Sequence, residues 1–552
     1  MSKQKKKVLF VTEATYLNSG YSIYGHELLT RLHKSGKYEI AEHSSYGNMS
    51  DPRVKFIPWK YYANAPEETD SQELKTFYKS RPTHEFGEWR FDKVSLDFRP
   101  DVVACIRDPW MDSFIQNSHL RPYYSVLMMP TADSLYLDFD WINTYSKADG
   151  ALTYTEWGKR VLDHESGGKI NTLGAAPYGV DYDVFSPVEN KEEHKKRFGL
   201  PPDSIIIGTV MRNQKRKLFP DLIQAFADSL DRVPENVSSK MYLYLHTSYP
   251  DKQCWDLPRL ILESGVASRV LVSYICKFCK KASPQIFKDA RTLCPHCNNV
   301  SCVMPNVGLG YTNEQLIDTY RLFDLYCQYS ISEGFGCPLV EAAAIGVPVV
   351  TVDFSAMQDF ADRVGAYKVK IQRHFREFES HMLRAYPDNK HLTEIITKFV
   401  QLPPDYRKKK GEQMRAKAKP YYNWDRVAGV WANAIDNLPK PKRNWNDPPN
   451  IRPGKSSIAD NLSSDEFVRS VFADVYYMPE HVHEITGLNL LRDLNFGATV
   501  TSKGMEQLDK KKVVERLKGR NDGRNIAEQA RCGIIKLNDE EFIRFANTRN
   551  VK

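Results

Sequence analysis

The strongest constraint on the fold of this chain is an alternation of short continuous apolar runs with stretches whose apolar residues fall at helical spacing. It occurs in two separate blocks. In the first, Val8-Leu9-Phe10-Val11 is followed by a polar loop, Asn18-Ser19-Gly20-Tyr21-Ser22. Tyr24, Leu28, Leu29 and Leu32 then share one helical face, with Gly36 as a stop. Runs at 102–106, 125–129 and 151–154 read as further buried strands. The second block begins after a charged, proline-bearing stretch from Ser186-Pro187 to Leu200-Pro201-Pro202. It opens with the strand Ile205-Ile206-Ile207-Gly208 and a helix over 218–230, and continues with strands at 241–245, 269–272, 325–327 and 347–352. Apolar runs of this length between helices are what parallel strands covered on both faces require. The pattern predicts an α/β protein with two doubly wound, Rossmann-like domains, 1–185 and 203–419, and a cleft between them. Ligands of such sheets bind beyond the carboxyl ends of the strands. The segment 46–100 is polar and aromatic with weak periodicity and yields no placement. A Pro-, Asn- and Lys-rich stretch predicts a linker over 439–462. Beyond it Ser463-Ser464-Asp465-Glu466 forms a capping box ahead of Phe467, Val471, Phe472 and Val475, which opens a mainly helical C-terminal module, 463–552.

Composition narrows the class. Of 552 residues, 77 are Lys or Arg and 69 Asp or Glu, a formal charge of +8. That surplus permits an anionic substrate or surface without demanding nucleic acid. A hydrophobic fraction of 41%, with 12% aromatics, excludes global disorder. No apolar run approaches the roughly 18 residues of a membrane span. The run after Met1-Ser2-Lys3-Gln4-Lys5-Lys6-Lys7 is too short for a signal-peptide core. Ten cysteines, four of them clustered, argue against a disulfide scaffold. The expectation is a cytoplasmic, multidomain protein without a transmembrane segment, for which peripheral membrane contact stays open.

The most informative string is Ser332-Glu333-Gly334-Phe335-Gly336-Cys337-Pro338-Leu339-Val340-Glu341-Ala342-Ala343-Ala344, followed by Gly346-Val347-Pro348-Val349-Val350. Glu333 falls in a glycine-rich loop directly after a strand. Glu341 falls one turn into a helix opened by Pro338, a favoured first-turn residue. The amides of Gly334, Phe335 and Gly336, with the positive end of that helix, suit a phosphate. The two flanking carboxylates suit sugar hydroxyls.

This string resembles the E-x7-E signature of the retaining GT-B glycosyltransferases, most closely glycosyltransferase family 4 (glycosyl transferases group 1). Gly208-Thr209-Val210-Met211-Arg212, with Lys217 and Asp221-Leu222-Ile223-Gln224-Ala225-Phe226, resembles the family's strand, Arg/Lys pair and following helix. Tyr178-Gly179-Val180-Asp181 with Phe185 and Pro187 is similar to its hinge-proximal string, and Asn18-Ser19-Gly20 to its first glycine-rich loop. Trp424, Val427 and Trp431 are similar to its terminal helix, here 420–438, which returns to the first domain. The resemblance covers about 8–437. It implies that Arg212 and Lys217 neutralise the diphosphate of a nucleoside-diphosphate-sugar donor, that Glu341 holds the ribose hydroxyls and that Glu333 contacts the transferred sugar. It also implies that Gly20 admits the phosphate close to the backbone and that no catalytic metal takes part. Fixed cations are what metal-free departure of a diphosphate requires. Many relatives carry a histidine after the strand at 125–129, where this chain reads Met129-Pro130-Thr131-Ala132-Asp133-Ser134. Asp133 either takes an acceptor-orienting or base role there or simply forms a turn.

Three further features complete the reading. Asp138-Phe139-Asp140 matches a metal-binding D-x-D pattern, but Asp140 is placed to cap a helix. Cys276-Lys277-Phe278-Cys279 and Cys294-Pro295-His296-Cys297, fourteen residues apart, form paired C-x2-C knuckles. Four thiolates at this spacing predict a closed, structural zinc in a ribbon inserted at 274–303. Arg407-Lys408-Lys409-Lys410 and Lys510-Lys511-Lys512 are basic clusters with acids interleaved, read as solvated helix faces or as contacts to phosphate. The leading expectation is a retaining glycosyltransferase acting on a hydroxyl acceptor, whether glycan, lipid-linked, small molecule or nucleic acid. The alternatives are a zinc-ribbon nucleic-acid-binding protein with a degenerate cleft, and a glycosyltransferase of modified DNA bases.

Overall fold

A computed structural model of the protein describes residues 5–445, apart from His119, Lys252, Gln253 and Val307. The capping box at Ser463, the 463–552 module and the Lys510-Lys511-Lys512 cluster lie outside the described residues. The first domain is built on seven parallel strands: β1 (Lys6–Glu13), β2 (Tyr38–Ser45), β3 (Lys60–Ala63), β4 (Val102–Cys105), β5 (Ser125–Met128), β6 (Gly150–Thr153) and β7 (Thr172–Ala175). Their order is β3-β2-β1-β4-β5-β6-β7. The order reverses at β1, which pairs with both β2 and β4, so a switch-point crevice opens at the carboxyl end of β1. Val8, Leu9, Phe10 and Val11 are fully buried, as a strand covered on both faces must be. The helix Gly20–Lys34 follows, capped by Ser19, whose side chain accepts from the Ser22 amide.

β2 carries Glu42, His43, Ser44 and Ser45 inside the protein, which hides its strand character in the sequence. Glu42 accepts from the Thr15 amide (2.9 Å), the Thr15 hydroxyl (2.8 Å) and Trp59 Nε1 (2.8 Å). Buried polar groups are tolerated when partnered in this way. The segment 46–100, which had no placement, contains β3 and the helices Gln72–Lys79, Pro82–Glu85 and Glu88–Phe98. The last buries Arg90, Asp92 and Lys93 along with its apolar residues, so no amphipathic stripe announces it.

The second domain contains β8 (Ile205–Val210), β9 (Met241–His246), β10 (Val270–Cys276), β11 (Ala282–Ile286), β12 (Arg291–Leu293), β13 (Val300–Val303), β14 (Leu325–Gln328), β15 (Val349–Val352) and β16 (Tyr367–Val369). Among the described residues they form one sheet, β12-β13-β10-β9-β8-β14-β15-β16, with β11 also paired to β10. β10 runs four residues beyond the expected end at 272 and delivers Cys276 to the first knuckle. β11 and β13 both pair with β10 antiparallel, so the inserted ribbon continues the parallel sheet at one edge rather than hanging from a loop.

The domains are tied together at several points. The helix Trp424–Asn437 packs on Gly20–Lys34, where Trp431 Nε1 donates to the Tyr24 hydroxyl (2.9 Å). A hairpin of β17 (Ile371–Arg376) and β18 (Leu383–Pro387) reaches back to the first domain through an antiparallel bridge between Leu135 and Leu383. The described start of the expected linker also rests on the first domain. Arg443 donates its amide to the Pro122 carbonyl (2.9 Å), and the Trp445 ring lies 4.9 Å from that of Tyr123. No described helix is long and apolar enough to cross a membrane.

Candidate active site in the interdomain cleft

β8 and β14 are neighbours, so the loops at their carboxyl ends meet. Backbone bonds stitch them together: Leu218 N–H donates to the Tyr329 carbonyl (3.1 Å) and Ile331 N–H to the Arg216 carbonyl (3.1 Å). This brings Lys217 onto Glu333. The Lys217 ammonium donates to Oε1 of Glu333, and Arg216 donates to Oε2 at 2.9 Å. Gln328 Nε2 (2.6 Å) and the Ser330 hydroxyl (3.0 Å) complete the shell around Oε1. Glu333 is 4% and Lys217 6% exposed. Burial alone would push the Glu333 carboxyl up, but Lys217 and Arg216 outweigh it and hold it at about 2. Burial pushes the Lys217 ammonium down to about 8 against the pull of Glu333, and the Arg216 charge adds to the depression.

The chain turns from Glu333 into the helix Cys337–Ile345 through Gly334 and Gly336. A Cβ on Gly334 would stand 2.1 Å from Thr131 Cγ2 of the first domain, so only glycine permits this approach. Gly336 has φ +84°, in the left-handed region. Phe335 sits in an aromatic cluster, its ring 6.3 Å from Tyr154, 6.0 Å from Tyr178 and 6.0 Å from Tyr422. Glu341 is buried on the helix and accepts from the hydroxyls of Tyr320 (2.7 Å) and Tyr178 (3.5 Å). Burial raises its carboxyl, and the two phenols partly offset that. Gly20 opens its helix facing the same crevice, and a Cβ there would meet nothing within 4 Å. The fold itself does not demand glycine at that position.

Arg212 lies two residues past β8, exposed, and makes no ion pair among the described residues. The arginine that joins Lys217 on Glu333 is Arg216, hidden in the sequence within Lys215-Arg216-Lys217. Asp133 stands across the cleft. Its carboxylate pairs with Arg384 of β18 at 2.6 Å and accepts from the Ser332 hydroxyl at 3.4 Å. Arg384 also reaches Glu377 (3.0 Å) and Ser332 (3.0 Å). In the second domain Thr209 Oγ1, Thr247 Oγ1 and Ser248 Oγ, at the ends of β8 and β9, are buried without a hydrogen-bond partner among the described residues. Such groups are costly unless something donates or accepts there. In the D-x-D string it is Asp138, not Asp140, that caps the helix Phe139–Ser146, through the Asp140 amide (2.8 Å).

The cysteines converge as well. The ligand atoms of Cys276, Cys279, Cys294 and Cys297 all lie within 4.8 Å of one another. Cys276 and Cys297 sulfurs are 3.6 Å apart and those of Cys279 and Cys294 3.7 Å. Tetrahedral zinc with Zn–S bonds of about 2.3 Å places sulfurs about 3.8 Å apart, so the four thiols fit the ion. Cys302 and His296 stand outside this set.

Two Rossmann-like domains facing each other across this cleft define the GT-B class. Residues 307–366 match the family model described as Glycosyl transferases group 1, which spans the Glu333 loop and the Glu341 helix. The resemblance carried by the E-x7-E string therefore holds. The chain is 31% identical over 275 residues to D-inositol 3-phosphate glycosyltransferase of Mycolicibacterium smegmatis, covering 49% of this chain and 54% of that protein. It is 24% identical over 250 residues to the protein of the same name from Corynebacterium jeikeium, covering 44% and 51%. The chain thus spans about half the length of these curated relatives. Among solved structures, sucrose-phosphate synthase from Thermosynechococcus elongatus superposes with a TM-score of 0.57 at 17% identity, covering 79% of this chain and 99% of that one. Anabaena HepE in complex with UDP and glucose gives 0.54 at 12% identity, covering 78% and 100%. These likenesses establish the shared fold.

Proposed function

We propose that the protein is a retaining glycosyltransferase that moves a sugar from a nucleoside-diphosphate-sugar to a hydroxyl of its acceptor. The observation that carries this reading is the buried Lys217–Glu333 pair, set beside Arg216 at the mouth of the Cys337–Ile345 helix. A diphosphate entering there meets two cations and the positive end of a helix. As the bond from the anomeric carbon to the phosphate oxygen lengthens, Lys217 and Arg216, with Arg212 just past β8, balance the charge that builds on the leaving group. The acceptor oxygen attacks from the same face, and its proton passes to the departing phosphate oxygen. Configuration at the anomeric carbon is thereby kept.

In this reading Glu341, steadied by Tyr320 and Tyr178, takes the ribose hydroxyls, and Thr209 and Thr247 partner the nucleotide further in. Glu333 orients Lys217 and presents the loop that holds the transferred sugar. Cys276, Cys279, Cys294 and Cys297 would hold a zinc ion that braces the edge of the second domain. UDP-glucose is the first donor to try, because a structural neighbour is complexed with UDP-glucose. The test is a screen of nucleotide sugars for slow donor hydrolysis, which needs no acceptor. The reading expects one donor to be cleaved with release of its nucleoside diphosphate and an anomeric product of unchanged configuration. Inverted product would remove the retaining mechanism, and inertness toward every donor would remove the enzyme.

A further inference from the structure

The first-domain wall of the cleft holds a polar group set that the donor reading leaves unused. Asp108, just past β4, accepts from the Tyr21 hydroxyl at 2.6 Å, and that hydroxyl lies 2.8 Å from Thr131 Oγ1. Thr131 is the residue against which Gly334 packs, so Asp108 is two side chains from the Glu333 loop. One phenol stands close by. The hydroxyl of Tyr154 is buried and has no hydrogen-bond partner among the described residues. The negative charge of Asp108 acts on it. Tyr154 also faces Phe335 in the loop that follows Glu333.

Charge at this wall is acidic once existing pairs are counted. Arg216 belongs to the donor side with Lys217 and Glu333, while Arg384 is engaged by Asp133 and Glu377, and Arg107 by Asp112. Glu13, at the end of β1, accepts from Ser19 and adds a further carboxylate close to Tyr21. A phosphate ester entering here would meet the carboxylates of Asp108 and Glu13, with these arginines already taken. Asp108 can only accept hydrogen bonds when ionised, whereas a phenol is both donor and acceptor. A hydroxyl group satisfies both kinds of partner, and a phosphate oxygen only one.

We infer that Asp108 and Tyr154 form the acceptor subsite and that the acceptor is an uncharged polyhydroxyl compound whose hydroxyl donates to Asp108. This deepens the glycosyltransferase reading by naming the acceptor class, and sets it apart from the inositol phosphate in the names of the curated relatives. The test is calorimetric titration of the full chain, without donor, with glucose, maltose and myo-inositol, and with glucose 6-phosphate and inositol 3-phosphate. At least one uncharged compound should bind, and more tightly than its phosphate ester. Asp108→Asn should weaken it tenfold or more and Tyr154→Phe several-fold, the second variant standing in if the first does not fold. Phe278→Ala, on the exposed ribbon, should leave it unchanged. No binding by any uncharged compound, tighter binding of a phosphate ester, or unaltered binding by folded Asp108→Asn and Tyr154→Phe would overturn the inference. Polyol binding with no donor cleaved would instead remove the glycosyltransferase reading alone.

Discussion

Lys217 and Glu333, 116 positions apart in the chain, form a buried ion pair that locks the loop after β8 to the loop after β14. A buried pair contributes little net stability over an apolar replacement, yet breaking it leaves an uncompensated charge. Lys217→Met should therefore destabilise the protein by about 3–5 kcal/mol. The double variant Lys217→Met, Glu333→Gln should recover most of that loss while remaining inactive on donor. Denaturant melts of the three proteins check the first statement, and donor hydrolysis checks the second.

In the proposed mechanism the depressed Lys217 ammonium sets an alkaline limit on the reaction. Its ordinary value is 10.5 and burial lowers it to about 8, so the charged form is lost as pH rises through that value. The free enzyme's kcat/KM should fall tenfold per unit above about pH 8. Lys217→Arg, which stays charged, should remove that limb even where it lowers the plateau.

Glu333 sets the acid side of stability. Its carboxyl is held at about 2 against an ordinary 4.5. A depressed carboxylate contributes stability that is present above the unfolded value and lost as pH falls toward the folded one. Acid titration should show Glu333-dependent loss of stability between 4.5 and about 2, and Glu333→Gln should flatten the curve across that window.

The ribbon sits at the edge of the second sheet, with β9 between its anchor β10 and the site-bearing β8. The purified protein should hold about one zinc per chain by elemental analysis, and Cys279→Ser should lose it. Chelation should lower the thermal midpoint, because β10 itself ends in a ligand. Donor hydrolysis should persist below the new midpoint. Loss of hydrolysis at temperatures where the chain stays folded would give the ribbon a catalytic part.

Arg384 bridges Asp133 of the first domain to Ser332, the neighbour of Glu333. Arg384→Met should cut transfer to acceptor by about tenfold or more through misplacement of the two walls, with a smaller effect on acceptor-free donor hydrolysis. Equal losses in both reactions would mean that Arg384 serves the donor side alone.

Much of this was legible in the sequence, for identifiable reasons. Both Rossmann-like sheets were, because Val8 to Val11 and Ile205 to Ile207 are unbroken apolar runs that only a covered parallel strand accommodates. The Glu333 loop was, because glycines and a helix-opening proline sit at fixed offsets. β2 was not, since its last four residues are polar and buried. Arg216 was missed among three adjacent cations, whose separation depends on how the loop is stitched to 329–331. Arg384, Tyr320 and Asp108 carry no local signature, and the string around Tyr178 does not announce its contact with Glu341. They reach the cleft by tertiary packing of segments far apart in the chain.

The central claim is that the cleft grips a sugar nucleotide through Lys217 on the diphosphate side and Glu341 on the ribose side. Release of nucleoside diphosphate from a donor panel headed by UDP-glucose measures it directly, comparing the natural chain with Lys217→Ala and Glu341→Gln after melts confirm that each is folded. The account predicts slow release from at least one donor by the natural chain and a loss of a hundredfold or more in either variant, about 2.7 kcal/mol or more of transition-state stabilisation. Release that persists at the natural rate in both folded variants would contradict it.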